Sequence, residues 1–146
     1  MRETEGSRLK ADVESRAERI LALVSQIEER SPQTVKEYEQ KLLARLQEML
    51  SDVKIEEQRI LTEAAIFADK VAVAEETVRL RSHFDQFRKM LNSEEAIGRK
   101  LDFIVQEMNR EANTIGSKAV DSQIAYLVVE IKAEIEKIRE QIQNIE

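Results

Sequence analysis

The sequence predicts an all-α protein of about six amphipathic helices, and three observations carry that reading. Charged residues make up 36% of the chain and aromatics only 4%, with three Gly and one Pro in 146 residues, which is the composition of long amphipathic helices. Apolar residues recur at spacings of three, four and seven along nearly the whole length. No long loop or low-complexity linker interrupts the pattern.

The first helix is expected from Glu3 to Glu29, with Leu9, Val13, Ile20, Val24 and Ile27 on one stripe. Ser31-Pro32 then reads as a stop and a restart, Ser31 as N-cap and Pro32 at the first helical position. A second helix would place Val35, Tyr38, Leu42, Leu46 and Met49 inward, making residues 1–50 a long antiparallel hairpin. Residues 51–146 would form a helical bundle. A break near Ser51-Asp52 precedes a third helix, Ile55 to Ala68, with Ile60, Ala64, Phe67 and Val71 inward. The fourth runs from Val73 to Leu91 on Leu80, Phe84, Phe87 and Leu91, and Asn92-Ser93 caps the fifth, Gly98 to Ala119. The sixth, from Val120 to the end, alternates Ile124, Ile131, Ile138 and Ile145 with Val128, Ile135 and Ile142. That is a coiled-coil seam, its partner either another helix of this chain or a second subunit.

Composition also removes function classes. Cysteine is absent, which excludes disulfides and thiolate metal sites and fits a reducing cytoplasm. No run of about 18 apolar residues could cross a membrane, and the first residues lack the apolar centre of a signal peptide. The net charge of −6 opposes a broad electrostatic wrap around nucleic acid. It leaves room for a local groove with cations at its lip and carboxylates at its base.

The fifth helix holds the strongest functional signal. Ile97, Leu101, Ile104, Val105, Met108, Ala112 and Ile115 share its inner stripe, while Arg99, Gln106, Arg110, Asn113 and Ser117 lie opposite, with Asp102 and Asn109 at the edge. Lys100, Glu107, Glu111 and Lys118 form a second polar row. An ordinary solvated face uses Glu, Lys and Ala, because Asn competes for backbone groups and weakens a helix. Arg forks and amides suit phosphates, sugars and base edges. Arg99, Lys100, Arg110 and Lys118 are candidate phosphate contacts, with surface ion pairing as the alternative. Phe103 faces outward among them, either to stack on a base or to be covered by another subunit.

On the fourth helix Glu76, Arg79 and His83 share one side. Histidine titrates near neutrality, so His83 is a candidate acid, base or metal ligand, or a boundary side chain hydrogen-bonded to a neighbour. Asp102, Glu107 and Glu76 are candidate metal-holding carboxylates, and salt bridging is the competing role. No phosphate-binding glycine loop or nucleophile elbow occurs; Gly98 and Gly116 mark close packing or a helix end.

AEETVRLRSHF (Ala74 to Phe84), GRKLDFIVQEMNREANTIGSKA (Gly98 to Ala119) and IREQIQNIE (Ile138 to Glu146) resemble the C-terminal half of the YicC/YloC family of bacterial endoribonucleases. The opening MRETEG is similar to the family's junction between its N-terminal domain and this helical half. The resemblance implies RNA cleavage dependent on a divalent ion, Mg²⁺ or Mn²⁺, and a ring-like homo-oligomer, a hexamer. It implies that the chain is the C-terminal part of a larger protein. The matching motif spans Glu75, Glu76, Arg79, His83, Arg99, Lys100, Asp102, Glu107, Asn109, Arg110, Glu111, Asn113, Ser117 and Lys118. The chemistry of the side chains assigns His83, Glu107 and Asp102 to catalysis, and Glu76, Asp102 and Glu107 to metal. Arg79, Arg99, Lys100, Asn109, Arg110, Asn113, Ser117 and Lys118 would bind RNA. The alternative is a helical oligomerisation or RNA-clamp module without catalysis of its own.

Overall fold

The computed structural model describes residues 2–50, 54–93 and 98–144, without the side chains of residues 2–5. The class is all-α, with five helices among the described residues: α1 (Arg2–Met49), α2 (Glu57–Val71), α3 (Ala74–Leu91), α4 (Gly98–Lys118) and α5 (Ser122–Gln143). The first half of α1 packs on α3 and α5, and α4 closes the ring between those two. Ion pairs and hydrogen bonds give the directions. Glu28 to Arg81 and Glu18 to Arg88 set α1 antiparallel to α3. Arg16 to Glu134 and Arg30 to Asp121 set α1 antiparallel to α5. Every neighbour in this four-helix bundle therefore runs antiparallel.

The expected hairpin over residues 1–50 does not form, because α1 runs as one helix of 48 residues with Pro32 inside it. Proline removes a helical hydrogen bond and crowds the preceding turn, a cost of about 3 kcal/mol. Arg30 offsets it by clamping both sides of the proline. Its guanidinium donates to Glu37 through Nη1 and Nη2, each at 2.8 Å, and to Asp121 of α5 at 2.9 and 3.2 Å. Those bonds hold the Arg30 proton more tightly than usual, Asp121 contributing most and Glu37 next. Thr34 adds a local bond to the Ser31 carbonyl at 2.6 Å. The hairpin of this protein lies one step later in the chain. The second half of α1 pairs with α2 as a two-helix arm, where Tyr38 stacks on Phe67 with ring centroids 3.9 Å apart.

The core lies in the bundle and not in the arm. Val13, Ile20, Val24 and Ile27 of α1 join Leu80, Phe84, Phe87 and Leu91 of α3, Leu101, Met108 and Ile115 of α4, and the α5 isoleucines in one cluster. It takes no residue from α2, and it crosses the division expected at residue 50. Met49, expected inward, is 69% exposed at the arm's end. The α5 seam of Ile124, Val128, Ile131, Ile135, Ile138 and Ile142 is buried inside the chain's own bundle; Ile145, like Ile97 and the Ser51-Asp52 break, lies outside the described residues. Asn92 is the C-cap of α3, and the expected Asn92-Ser93 cap of the next helix would act on residues 94–97, outside the described residues. Gly116 allows α4 and α5 to approach, since a Cβ there would meet Val128 Cγ1 at 3.2 Å.

Asp121 joins these features, because the carboxylate that binds Arg30 also caps α5 by accepting from the Ile124 N–H at 3.1 Å. Arg30, despite partial burial, and then that backbone bond hold its carboxyl below the ordinary aspartate range. Its stabilising contribution is therefore complete above that range and fades as pH falls through the depressed value. Asp121→Ala should lower the unfolding free energy by about 1–2 kcal/mol at neutral pH. Urea titrations should show that deficit shrinking in acid, with Asp121→Asn falling between the two.

Candidate functional site

The packing of α3 on α4 creates a charged seam. Lys118 donates to Glu76 at 2.7 Å and to the Ala72 carbonyl at 3.1 Å. Arg79 donates through Nε to Glu111 at 3.0 Å, and its terminal nitrogens lie 3.6 Å from Glu75 and from Glu76. Glu76 is 3% exposed, and its Oε2 is buried without a partner. Burial pushes the Glu76 carboxyl up, but Lys118, a backbone N–H and Arg79 outweigh it, so the group stays below the usual glutamate range and ionised. Arg79 is held protonated, chiefly by Glu111.

These bridges fix the antiparallel register and locate the other candidates. His83 lies one turn past Arg79 on the same edge of α3, level with Glu107 on α4. His83 and Glu107 are half-buried, and neither makes a hydrogen bond or ion pair among the described residues. Around α4 from this seam comes the outward face. Gln106, Asn109, Arg110, Asn113, Thr114 and Ser117 line a shallow groove there. Arg99, Lys100, Asn109, Arg110 and Asn113 make no side-chain hydrogen bond or ion pair among the described residues. Ser117 only donates back to the Thr114 carbonyl. Phe103 is 62% exposed beside them.

The expected cations thus divide. Arg79 and Lys118 neutralise buried carboxylates, whereas Arg99, Lys100 and Arg110 have no partner among the described residues. The expected metal carboxylates do not converge within the chain. Glu76 sits opposite Lys118, while Asp102 lies sixteen residues back along α4, about 24 Å at roughly 1.5 Å per residue. Asp102 is engaged elsewhere, accepting from Gln106 at 2.9 Å and lying 3.5 Å from Arg139 of α5. No group of three His, Asp or Glu able to hold a metal occurs among the described residues. Sequence reasoning missed the pairing of Glu111 with Arg79 and the approach of Arg139; both depend on which helices meet. A concavity on the arm is lined by Leu43, Leu50, Ile55, Ile60 and Leu61, with Glu39, Lys54, Glu56 and Glu57 at its edge.

Residues 27–146 match the family described as "Endoribonuclease YicC-like, C-terminal". The chain belongs to this family. It is 48% identical over 147 residues to the probable endoribonuclease YicC of Clostridioides difficile and 36% identical over 146 residues to that of Haemophilus influenzae. Each alignment covers 100% of the chain and 50% of the relative, so the chain spans about half the length of the curated relatives it matches. Among the described residues no helix is long and apolar enough to cross a membrane.

The Glu76–Lys118 pair yields a prediction about the seam. Lys118→Met leaves a buried carboxylate without its closest cation and should cost roughly 2–3 kcal/mol, less than a fully buried broken pair because Lys118 is one-third exposed. Glu76→Gln with Lys118→Met should cost less than the sum of the single changes, read by a double-mutant cycle in urea.

Proposed function

We propose that this chain is the RNA-holding and RNA-cleaving helical part of a YicC-like endoribonuclease. The observation that carries the reading is the outward face of α4. The interhelical arginines Arg16, Arg30 and Arg79 are bonded to carboxylates, yet Asn109, Arg110 and Asn113 line one groove, with Arg99 and Lys100 two to three turns back along α4, all without a side-chain partner among the described residues. A phosphate can take the Arg110 fork, with Arg99 and Lys100 as further cations along the strand. Asn109, Asn113 and Ser117 offer amide and hydroxyl groups to the ribose 2′-OH and base edges, and Phe103 offers a stacking plane.

Cleavage on this reading occurs where the face meets the seam. Glu107 precedes Arg110 by one turn, so a phosphate seated on Arg110 lies within reach of Glu107 and of His83 across from it. The Glu107 carboxylate accepts the proton of the 2′-OH, the 2′-oxygen bonds to phosphorus, and the P–O5′ bond breaks. The His83 imidazolium gives its proton to the departing 5′-oxygen. The products are a 2′,3′-cyclic phosphate and a 5′-hydroxyl. Asp102 and Glu76, expected at the chemistry, act here through Gln106 and Lys118. Glu76, Asp102 and Glu107 are too dispersed to form one Mg²⁺ or Mn²⁺ site, so no step passes through an ion.

A second reading is favoured by the absence, among the described residues, of a convergent acidic cluster: a clamp that binds RNA while cleaving groups come from elsewhere. Homo-oligomers, up to the hexamer, belong to both readings, and exposed Leu61 and Ile66 on the arm or Tyr126 and Val129 on α5 offer contact surface.

Incubating the chain with labelled RNA and EDTA should give 2′,3′-cyclic ends. His83→Ala and Glu107→Gln should each slow cleavage by about 10²-fold or more while RNA still binds. Binding without any cleavage supports the clamp, and 5′-phosphate ends that vanish with EDTA defeat the 2′-OH mechanism. Sedimentation velocity at micromolar concentration should show assemblies larger than a 16.9 kDa monomer.

A further inference from the structure

Arg139, like Arg19 and Arg88, approaches a carboxylate of another helix without donating a hydrogen bond to it. Arg16, Arg30 and Arg79 each donate to a carboxylate at 3.0 Å or less. Arg139 Nε lies 3.5 Å from Asp102 Oδ1, and both atoms are shielded from solvent without a hydrogen bond. Its terminal nitrogens make no hydrogen bond among the described residues, and the side chain is 43% exposed. The guanidinium is therefore drawn to one place by Asp102 while most of its donors have no partner among the described residues.

That place adjoins the α4 groove. Asp102 accepts from Gln106, and Gln106 lines the groove with Asn109 and Arg110. Asp102 thus links the groove to α5. Resting on the RNA reading above, we propose that Arg139 is a phosphate contact on α5, so that the bound strand crosses from α4 onto α5 over Asp102. The partner is the sugar-phosphate backbone of single-stranded RNA. Asp102, an anion that would repel phosphate if bare, serves as the tether that keeps the Arg139 fork at the seam.

The test is fluorescence anisotropy of a 5′-labelled 20-nucleotide single-stranded RNA titrated with the 146-residue chain in EDTA, between 50 and 200 mM KCl. Each cation contacting a single strand contributes about 0.7 to the slope of log affinity against log salt. Arg139→Gln should weaken binding several-fold at 100 mM KCl and lower the slope by about 0.7, and Arg139→Lys should restore most of that slope. Arg110→Gln serves as the control for the α4 face. If Arg110→Gln lowers the slope and Arg139→Gln does not, the α5 contact is wrong and the α4 reading stands. If neither changes it, both are wrong. A lowered melting temperature of Arg139→Gln with an unchanged slope assigns the residue to packing alone and overturns the proposal.

Discussion

A carboxylate taken out of water needs a cation, and that requirement organises this molecule. Glu76, Glu111, Glu134 and Asp121 all sit where helices meet. Each is answered by a cation: Lys118 for Glu76, Arg79 for Glu111, Arg16 and Arg19 for Glu134, Arg30 for Asp121. Leaving any of them alone would cost more than an apolar pair in the same place. The pairings fix the antiparallel register of the bundle and also select which cations are consumed. Arg99, Lys100 and Arg110 of α4 are among the cations that this pairing leaves without a partner among the described residues.

The same rule explains how α1 survives its proline. A proline at position 32 ends most helices, and the sequence around it resembles a cap. Here the chain on one side is fixed in the bundle core, and the chain on the other side is covered by α2. Arg30 ties the two sides together across the residue that lacks a donor. The result projects a two-helix arm whose aliphatic residues contribute nothing to the main core. The arm is joined to the bundle through the helix that also carries Arg16 and Arg19.

For function, the geometry separates roles that a linear reading merges. Arg79, Lys118, Arg99 and Arg110 are all cations of the matching motif. Among the described residues only the last two face outward without a partner. Glu76, Asp102 and Glu107 are all acids of the same motif. Glu76 is buried against Lys118, Asp102 accepts from Gln106 and lies close to Arg139, and Glu107 alone of the three has no hydrogen bond or ion pair among the described residues, level with His83. A histidine and a carboxylate brought level across one seam, one turn from a guanidinium without a partner among the described residues, suit proton transfer at a phosphodiester.

By itself the sequence determined the helical class, the inner stripes of α3, α4 and α5, and the outward amides and arginines of α4. Each of these follows from a period of about 3.6 residues within one helix. It also carried the family, because the motif segments are contiguous. Only the tertiary structure decided the rest. Whether Pro32 breaks a helix depends on what holds both sides of it, and whether a charge is free depends on a partner tens of residues away. Pairings such as Arg79 with Glu111 and Arg139 with Asp102 join residues brought together by helix packing, which no local periodicity encodes.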